Sequence, residues 1–208
     1  MVTELLTGLR DRGLDTTRPI FIGIDGAKAL RAAVTRVFDH PVIARCQLHK
    51  LRNVADKLPD HLAWTVTKRM RRAYHAESAL AAEAQLEALA KELERTHPGA
   101  AASLREGLSE TLTVLRLGVP PTLARTLRST NSIESMISIC RAHSVNVKNW
   151  QNGTMALRWC AAGMVEAGKQ FRRVNGHLHL PALRVALNEH VATQTVSAVR
   201  HDDTVIAA

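Results

Sequence analysis

Apolar positions in the first fifty residues alternate between a helical and a strand-like period. Leu5, Leu6 and Leu9 share one face of a predicted helix over residues 2–12, which Gly13 stops. After Pro19 the run Ile20-Phe21-Ile22-Gly23-Ile24 is short and β-branched, the pattern of a strand buried on both faces. It ends at Asp25-Gly26. Ala27, Leu30, Val34, Val37 and Phe38 then return at helical spacing, and Pro41-Val42-Ile43-Ala44-Arg45-Cys46 reads as a second buried strand. Strand, helix and strand within about thirty residues make a βαβ unit, which predicts parallel pairing.

From His49 to about Leu123 only helical periodicity remains. Leu62, Val66, Met70 and Ala73 mark one helix, and Leu80, Leu86, Leu89 and Leu93 mark an Ala-rich second that His97-Pro98-Gly99 closes. A third is predicted from Ala101 to Leu112. Pro120-Pro121 breaks the chain before a helix that begins near Asn131 and is expected to turn Ile133, Ile137 and Cys140 inward. Another covers about 153–172, a short final helix follows Pro181, and residues 191–208 are expected to form a flexible tail. The pattern is an α/β core, interrupted by helices and closed by more helices.

Charge divides along the same lines. Residues 76–110 hold seven Glu against three Lys or Arg, whereas residues 125–190 hold nine Lys or Arg against three Glu. The whole chain carries +9, which favours a polyanion such as nucleic acid as partner. Aromatics are only 3% of the 208 residues, so the core is aliphatic and the rings are too few to favour a module that stacks bases on them. With 46% hydrophobic residues, the chain is neither a disordered tail nor a fibre. Three cysteines are an odd number without framework spacing, which fits a reducing, cytoplasmic setting. No apolar run approaches the ~20 residues of a membrane span.

Three constellations could carry chemistry. Asp25-Gly26 lies at the carboxyl end of a predicted strand, the edge of an open sheet where ligands and metals collect. On local pattern alone, Asp25 also reads as the cap of the helix that follows, a common job for Asp. Ser129-Thr130-Asn131-Ser132-Ile133-Glu134-Ser135 puts Glu134 on the first turn of a helix, three residues after Asn131, which is also the spacing of a capping box. Its neighbours Arg125, Arg128 and Arg141 are basic, as suits a carboxylate metal site beside a phosphate backbone. Cys46-Gln47-Leu48-His49 is half a zinc site, which His177-Leu178-His179 could complete only by long-range folding. Without zinc, Cys46 is buried at the strand end and His49 opens a basic helix with Lys50, Arg52 and Lys57. No P-loop, GxGxxG or GxSxG occurs, so nucleotide hydrolases and esterases gain no support.

The order of motifs is more specific than any one of them. Arg12-Gly13-Leu14, Asp25-Gly26-Ala27, Cys46-Gln47-Leu48-His49-Lys50-Leu51-Arg52-Asn53 and Ser129-Thr130-Asn131-Ser132-Ile133-Glu134-Ser135 succeed one another along nearly the whole chain. In this the chain resembles the Mutator-type DDE transposases of bacterial insertion sequences. The resemblance implies a ribonuclease H-like α/β core interrupted by an all-helical insertion. Residues 1–55 would be part of that core and 56–124 the insertion. Residues 125–190 would carry the catalytic-Glu helix and the C-terminal helices, and 191–208 the tail. It also implies Asp25 as the second Asp of a catalytic triad and Glu134 as its Glu, together holding Mg²⁺ or Mn²⁺, with two ions in the complete enzyme. Cys46, His49, Arg52, Asn53, Thr130 and Asn131 match family signatures that support the site. The partners implied are DNA, at element ends and target, and further transposase chains as a homo-oligomer or with full-length protein. Candidates for DNA-backbone contact are Arg128, Arg141, Lys148, Arg172 and Arg173.

One departure bears on activity. The family's first Asp sits on an early strand upstream of the Arg-Gly-Leu segment, whereas the only earlier Asp residues here are Asp11 and Asp15, at a helix end and in a loop. The chain is therefore expected to be the C-terminal portion of a transposase catalytic region, with partial N-terminal strands and no activity alone. The alternative is a non-catalytic DNA-binding or dominant-negative fragment.

Overall fold

The computed structural model describes the backbone of residues 1–206 and the side chains of residues 1–195. Helix α1 (Val2–Asp11) leads to β1 (Ile20–Ile24), α2 (Lys28–Val37) and β2 (Pro41–Arg45). The strands pair in parallel, Ile20 opposite Pro41 through Ile24 opposite Arg45, as the βαβ pattern predicts. Among the described residues the sheet has only these two strands. Strand alternation sends Ile20, Ile22 and Ile43 to one face, where Val34, Val37, Phe38 and Leu6 cover them. Phe21, Val42 and Ala44 point to the other face, against Val114, Leu117, Leu123, Leu183 and Leu187. The expectation that β1 is buried on both faces is corrected: three of its residues are half-buried and Gly23 is exposed, because no third strand covers its outer edge.

After β2 the chain becomes helical. Helices α3 (Gln47–Ala55), α4 (Asp60–Ala73), α5 (Ala79–Glu94) and α6 (Pro98–Arg105) enclose a second core around Val54, Met70, Leu86, Leu89 and Leu104. Ser78 caps α5 by accepting the Ala81 N–H at 3.1 Å. The single helix expected from Ala101 to Leu112 is broken into α6 and α7 (Leu108–Thr111), followed by α8 (Thr113–Arg116). The break is Gly107, at φ +63°, where an added Cβ would lie 2.4 Å from the Arg45 guanidinium carbon. Only glycine permits both that conformation and that approach.

Helix α9 (Pro121–Leu127) returns to the sheet, and α10 (Asn131–Ser144) and α11 (Gly153–Gln170) form a hairpin. The two helices meet closely where Gly163 faces Cys140; a Cβ there would be 2.9 Å from the Cys140 sulfur. A 3₁₀ turn (His177–His179) precedes α12 (Leu180–Ile206), which is one continuous helix where a short helix and a tail were expected. Residues 207–208 of that expected tail lie outside the described residues. No helix of the described residues is long and apolar enough to cross a membrane.

The insertion is fastened to the core by charge. Arg45, at the end of β2 and only 8% exposed, pairs through Nη2 with Glu110 at 3.2 Å and reaches the Glu106 carbonyl through Nη1. Arg31 of α2 pairs with the same Glu110. Lys50, read as part of a basic helix, is buried, its Nζ donating to the carbonyls of Ser103 and Glu106 at 2.6 Å each. Burial, and then the neighbouring Arg45 charge, lower the Lys50 pKa to about 8.

That depression has a thermodynamic consequence. Between pH 8 and the ordinary lysine value, the unfolded chain binds the proton that the folded chain has released, so stability rises with pH across that window. Chemical denaturation of the wild type and of Lys50→Met is expected to give unfolding free energies that keep a constant difference below pH 8. Above it, the difference should shift in favour of the wild type. Parallel curves from pH 7 to 10.5 would contradict a buried, depressed Lys50.

A candidate carboxylate site at the carboxyl edge of the sheet

The strands end side by side, and the chain changes direction at both ends. Cys46 N–H donates to the Ile24 carbonyl at 2.7 Å, so the last rung of the ladder fixes Cys46 against the residue that precedes Asp25. Asp25 is exposed. Its Oδ1 accepts the Ala27 N–H at 3.0 Å, which orders the turn into α2, while Ala27 is the helix N-cap residue. Asp25 therefore does not cap α2; its Oδ1 closes an Asx turn before the helix, and Oδ2 has no hydrogen bond among the described residues. Gly26, at φ +115°, lets the turn pass over the Arg45 side chain.

Helix α10 arrives at this edge by its N-terminus. Gln47 N–H donates to the Arg128 carbonyl at 2.9 Å, joining the start of α3 to the segment that enters α10. Thr130 N–H donates to Cys46 Sγ at 3.4 Å, and the Thr130 hydroxyl oxygen lies 3.4 Å from the same sulfur and from His49 Nδ1. The shortest contact of that hydroxyl is with Glu134 Oε1, which accepts its proton. The one hydroxyl proton is shared in turn between the Glu134 carboxylate and the Cys46 sulfur, and the role of His49 Nδ1 follows its tautomer. His49 Nδ1 also lies 3.8 Å from Glu134 Oε1.

Glu134 is therefore no member of a capping box. Thr130, not Asn131, is the N-cap residue of α10, and it gives the helix no side-chain cap bond. The Glu134 carboxylate turns to the Thr130 hydroxyl, while the Glu134 N–H donates to the Thr130 carbonyl at 3.0 Å. Cys46 is buried at the strand end, as expected without zinc. Burial pushes its thiol up, but the Thr130 hydroxyl, the backbone N–H groups of His49 and Thr130 and the His49 ring outweigh it, so the pKa lies below the ordinary thiol value. Among the described residues no group of three or more His, Cys, Asp or Glu could hold a metal ion. His177 and His179 accordingly complete no zinc site with Cys46 and His49.

The other signature residues divide by side. Gln47 and Lys50 face the insertion, Gln47 Nε2 donating to the Thr111 carbonyl at 3.1 Å. Arg52 is exposed, and Asn53, also exposed, accepts through its carbonyl from Ser103 Oγ at 3.3 Å. Helix α3 thus joins strand end, insertion and α10. Asn131 is exposed at the first position of α10 and borders a cleft of about 770 Å³ between α10 and the segment after α11. Arg125, Arg172 and Arg173 line that cleft, which contains no acidic side chain. Arg141 and Lys148 are exposed but lie outside it. Ile133 and Ile137, expected inward, are 45% and 41% exposed, and α10 buries no residue. Arg125 was legible only as a basic neighbour of Glu134; no spacing announced that Thr130 would be the hub.

A family profile described as "Transposase, Mutator family" matches residues 2–174. The chain is similar to the transposase for insertion sequence element IST2 of Acidithiobacillus ferrooxidans, at 30% identity over 146 residues, 70% of this chain and 48% of that protein. It is also similar to the transposase for insertion sequence element ISRM5 of Rhizobium meliloti (strain 1021), at 27% identity over 181 residues, 87% of this chain and 44% of that protein. The chain thus spans about half the length of the curated relatives it matches.

Replacing Thr130 with Val removes the hydroxyl that serves both Cys46 and Glu134. The Cys46 thiol is expected to titrate at higher pH, read by ultraviolet thiolate absorbance in a background with Cys140 and Cys160 changed to Ser. Stability should fall by ~1 kcal/mol for the lost hydrogen bonds, or about 2–4 °C in Tm for a chain of this size. An unchanged thiol titration would remove Thr130 from the network.

Proposed function

The chain belongs to the Mutator family of transposases, and from that premise we propose that it forms part of the catalytic region for metal-dependent DNA cleavage and strand transfer. The observation that carries the reading is the meeting of the Asp25 turn and the Glu134 helix at one sheet edge, through Ile24, Cys46 and Thr130. Its fold is a partial ribonuclease H-like core with the helices of residues 56–124 as insertion.

The donors fit a divalent hard cation in kind. Asp25 and Glu134 offer exposed carboxylate oxygens, and each has one oxygen free of hydrogen bonds within the described residues. Asp25 and Glu134 are the residues that would hold Mg²⁺ or Mn²⁺. A bound pair of such ions supplies activation of the attacking oxygen and charge neutralisation at the leaving oxygen. The protein's part is positioning. Thr130 and His49 fix the Glu134 carboxylate from one side, and the Asx turn at Ala27 fixes Asp25 from the other. Two carboxylates are fewer than the three the resemblance implies, so the first Asp would come from the part of the relatives' length that this chain does not span.

DNA is the partner this reading requires, both element ends and target. Arg125, Arg172 and Arg173 in the cleft beside α10, with Arg128 nearby, would neutralise backbone phosphates. Further transposase chains, as a homo-oligomer or with full-length protein, are the other partners of this reading. The second reading, a DNA-binding fragment without catalysis, draws on the same cationic cleft.

DNA binding by the 208-residue chain is expected to weaken steeply with salt, log K falling by about 0.9 per tenfold salt for each phosphate neutralised. Nicking of supercoiled DNA in Mg²⁺ or Mn²⁺ is expected to be absent. Nicking that Glu134→Gln abolishes would show that the described carboxylates suffice, and would overturn the expected inactivity. Salt-insensitive or absent binding would contradict both readings.

A further inference from the structure

A second cleft, of about 430 Å³, lies where the insertion meets the core. The end of α4 contributes Arg71, Tyr74 and His75, α3 contributes Gln47 and Leu51, and Arg125 and Arg128 come from the segment leading to α10. Three arginines therefore converge from two parts of the fold, and no acidic residue lines the cleft.

The contrast with paired arginines of the insertion and of β2 gives this meaning. Arg69, two positions before Arg71, holds Glu92 through both guanidinium ends at 2.6 and 2.7 Å. Arg105 holds Glu87 and Glu94, and Arg45 holds Glu110. Arg69 and Arg105 of the insertion are thus matched by its own carboxylates. Arg71, Arg125 and Arg128 form no ion pair among the described residues. Arg128 goes further, since its Nε is shielded from solvent and has no hydrogen-bond partner there. A buried donor left unmade is destabilising, and calls for a partner such as a water, an ion or a ligand. Desolvation also lowers the Arg128 pKa, as for a cation withdrawn from water without a counter-charge.

We propose that Arg71, Arg125 and Arg128 form a phosphodiester-binding subsite that holds a DNA backbone phosphate between the insertion and the core. The guanidinium fork suits a phosphate's paired oxygens, and three such groups around one cleft supply charge and geometry together. Ser129 and Asn131 border both this cleft and the larger one beside α10, and Arg125 is common to the two. A bound strand would run from Arg71 past Arg128 and Arg125 to Arg172 and Arg173, along the N-terminus of the helix that carries Glu134. The subsite rests on the proposal that the chain binds DNA, and adds that the insertion contributes to that binding.

Fluorescence anisotropy of the 208-residue chain on a short labelled duplex, across a salt series, tests it. Arg71→Ala and Arg128→Gln are each expected to weaken binding roughly fivefold to tenfold at about 0.1 M salt, and to make the slope of log K against log salt shallower by about one. Arg69→Ala, on the same helix but paired with Glu92, is expected to leave affinity and slope unchanged. Arg71 is exposed, so Arg71→Ala decides the matter even where circular dichroism shows that Arg128→Gln unfolds the chain. If the wild type binds with a steep slope while Arg71→Ala matches it, the subsite is overturned and DNA binding stands. If Arg69→Ala loses as much as Arg71→Ala, general charge explains the effect and the subsite is again overturned. A wild type that binds no DNA overturns the subsite and the proposed function together.

Discussion

Helix α10 buries none of its own residues, yet it carries the carboxylate on which the proposed chemistry turns. Its placement at the sheet edge depends on hydrogen bonds rather than on a packed face. The Thr130 N–H on the Cys46 sulfur and the Gln47 N–H on the Arg128 carbonyl are the ties that fix its first turn. Directional bonds suit this task better than apolar contact, which would hold the helix but leave its rotation loosely set. Cys46 can accept because the last rung of the sheet holds its own N–H on Ile24, so the position of Glu134 is inherited from the register of two five-residue strands.

The same short helix, α3, ties down the insertion. Cys46 at its N-cap and His49 on its first turn face α10, while Gln47 and Lys50 reach the carbonyls of Thr111, Ser103 and Glu106. Arg45 adds an ion pair with Glu110 just beneath. Buried charges contribute little net stability when paired and cost much when a partner is lost, so these contacts act mainly to fix relative orientation. An insertion docked in one orientation is what allows Arg71 to stand opposite Arg125 and Arg128 across a cleft.

Much of this was legible in the sequence. The short β-branched apolar runs and the helical spacing between them gave β1, α2 and β2 and their parallel pairing, and the motif order gave the family that the profile match then supported. Asp25 at a strand end and Glu134 on a first helical turn were both readable from local pattern. What pattern could not give was direction. Ile133 and Ile137 lie at helical spacing and read as inward, but with two strands in the sheet nothing buries them. Lys50 reads as part of a basic helix until the fold supplies two carbonyls from residues more than fifty positions away. Gly107 breaks a helix that its neighbours favour, because Arg45 occupies the space a side chain would need. These are all long-range effects, and each overrides a correct local tendency.

If one sheet edge presents Asp25 and Glu134 as ligands of the same divalent cation, both must sense that cation together. Titration of the isotopically labelled chain with Mn²⁺, followed by paramagnetic broadening of amide resonances, tests this without requiring catalysis. Broadening is expected to begin together at residues 25–27 and 130–134, and Asp25→Asn or Glu134→Gln is expected to weaken it at both segments. Broadening confined to one segment, or indifferent to either substitution, would contradict a shared cation.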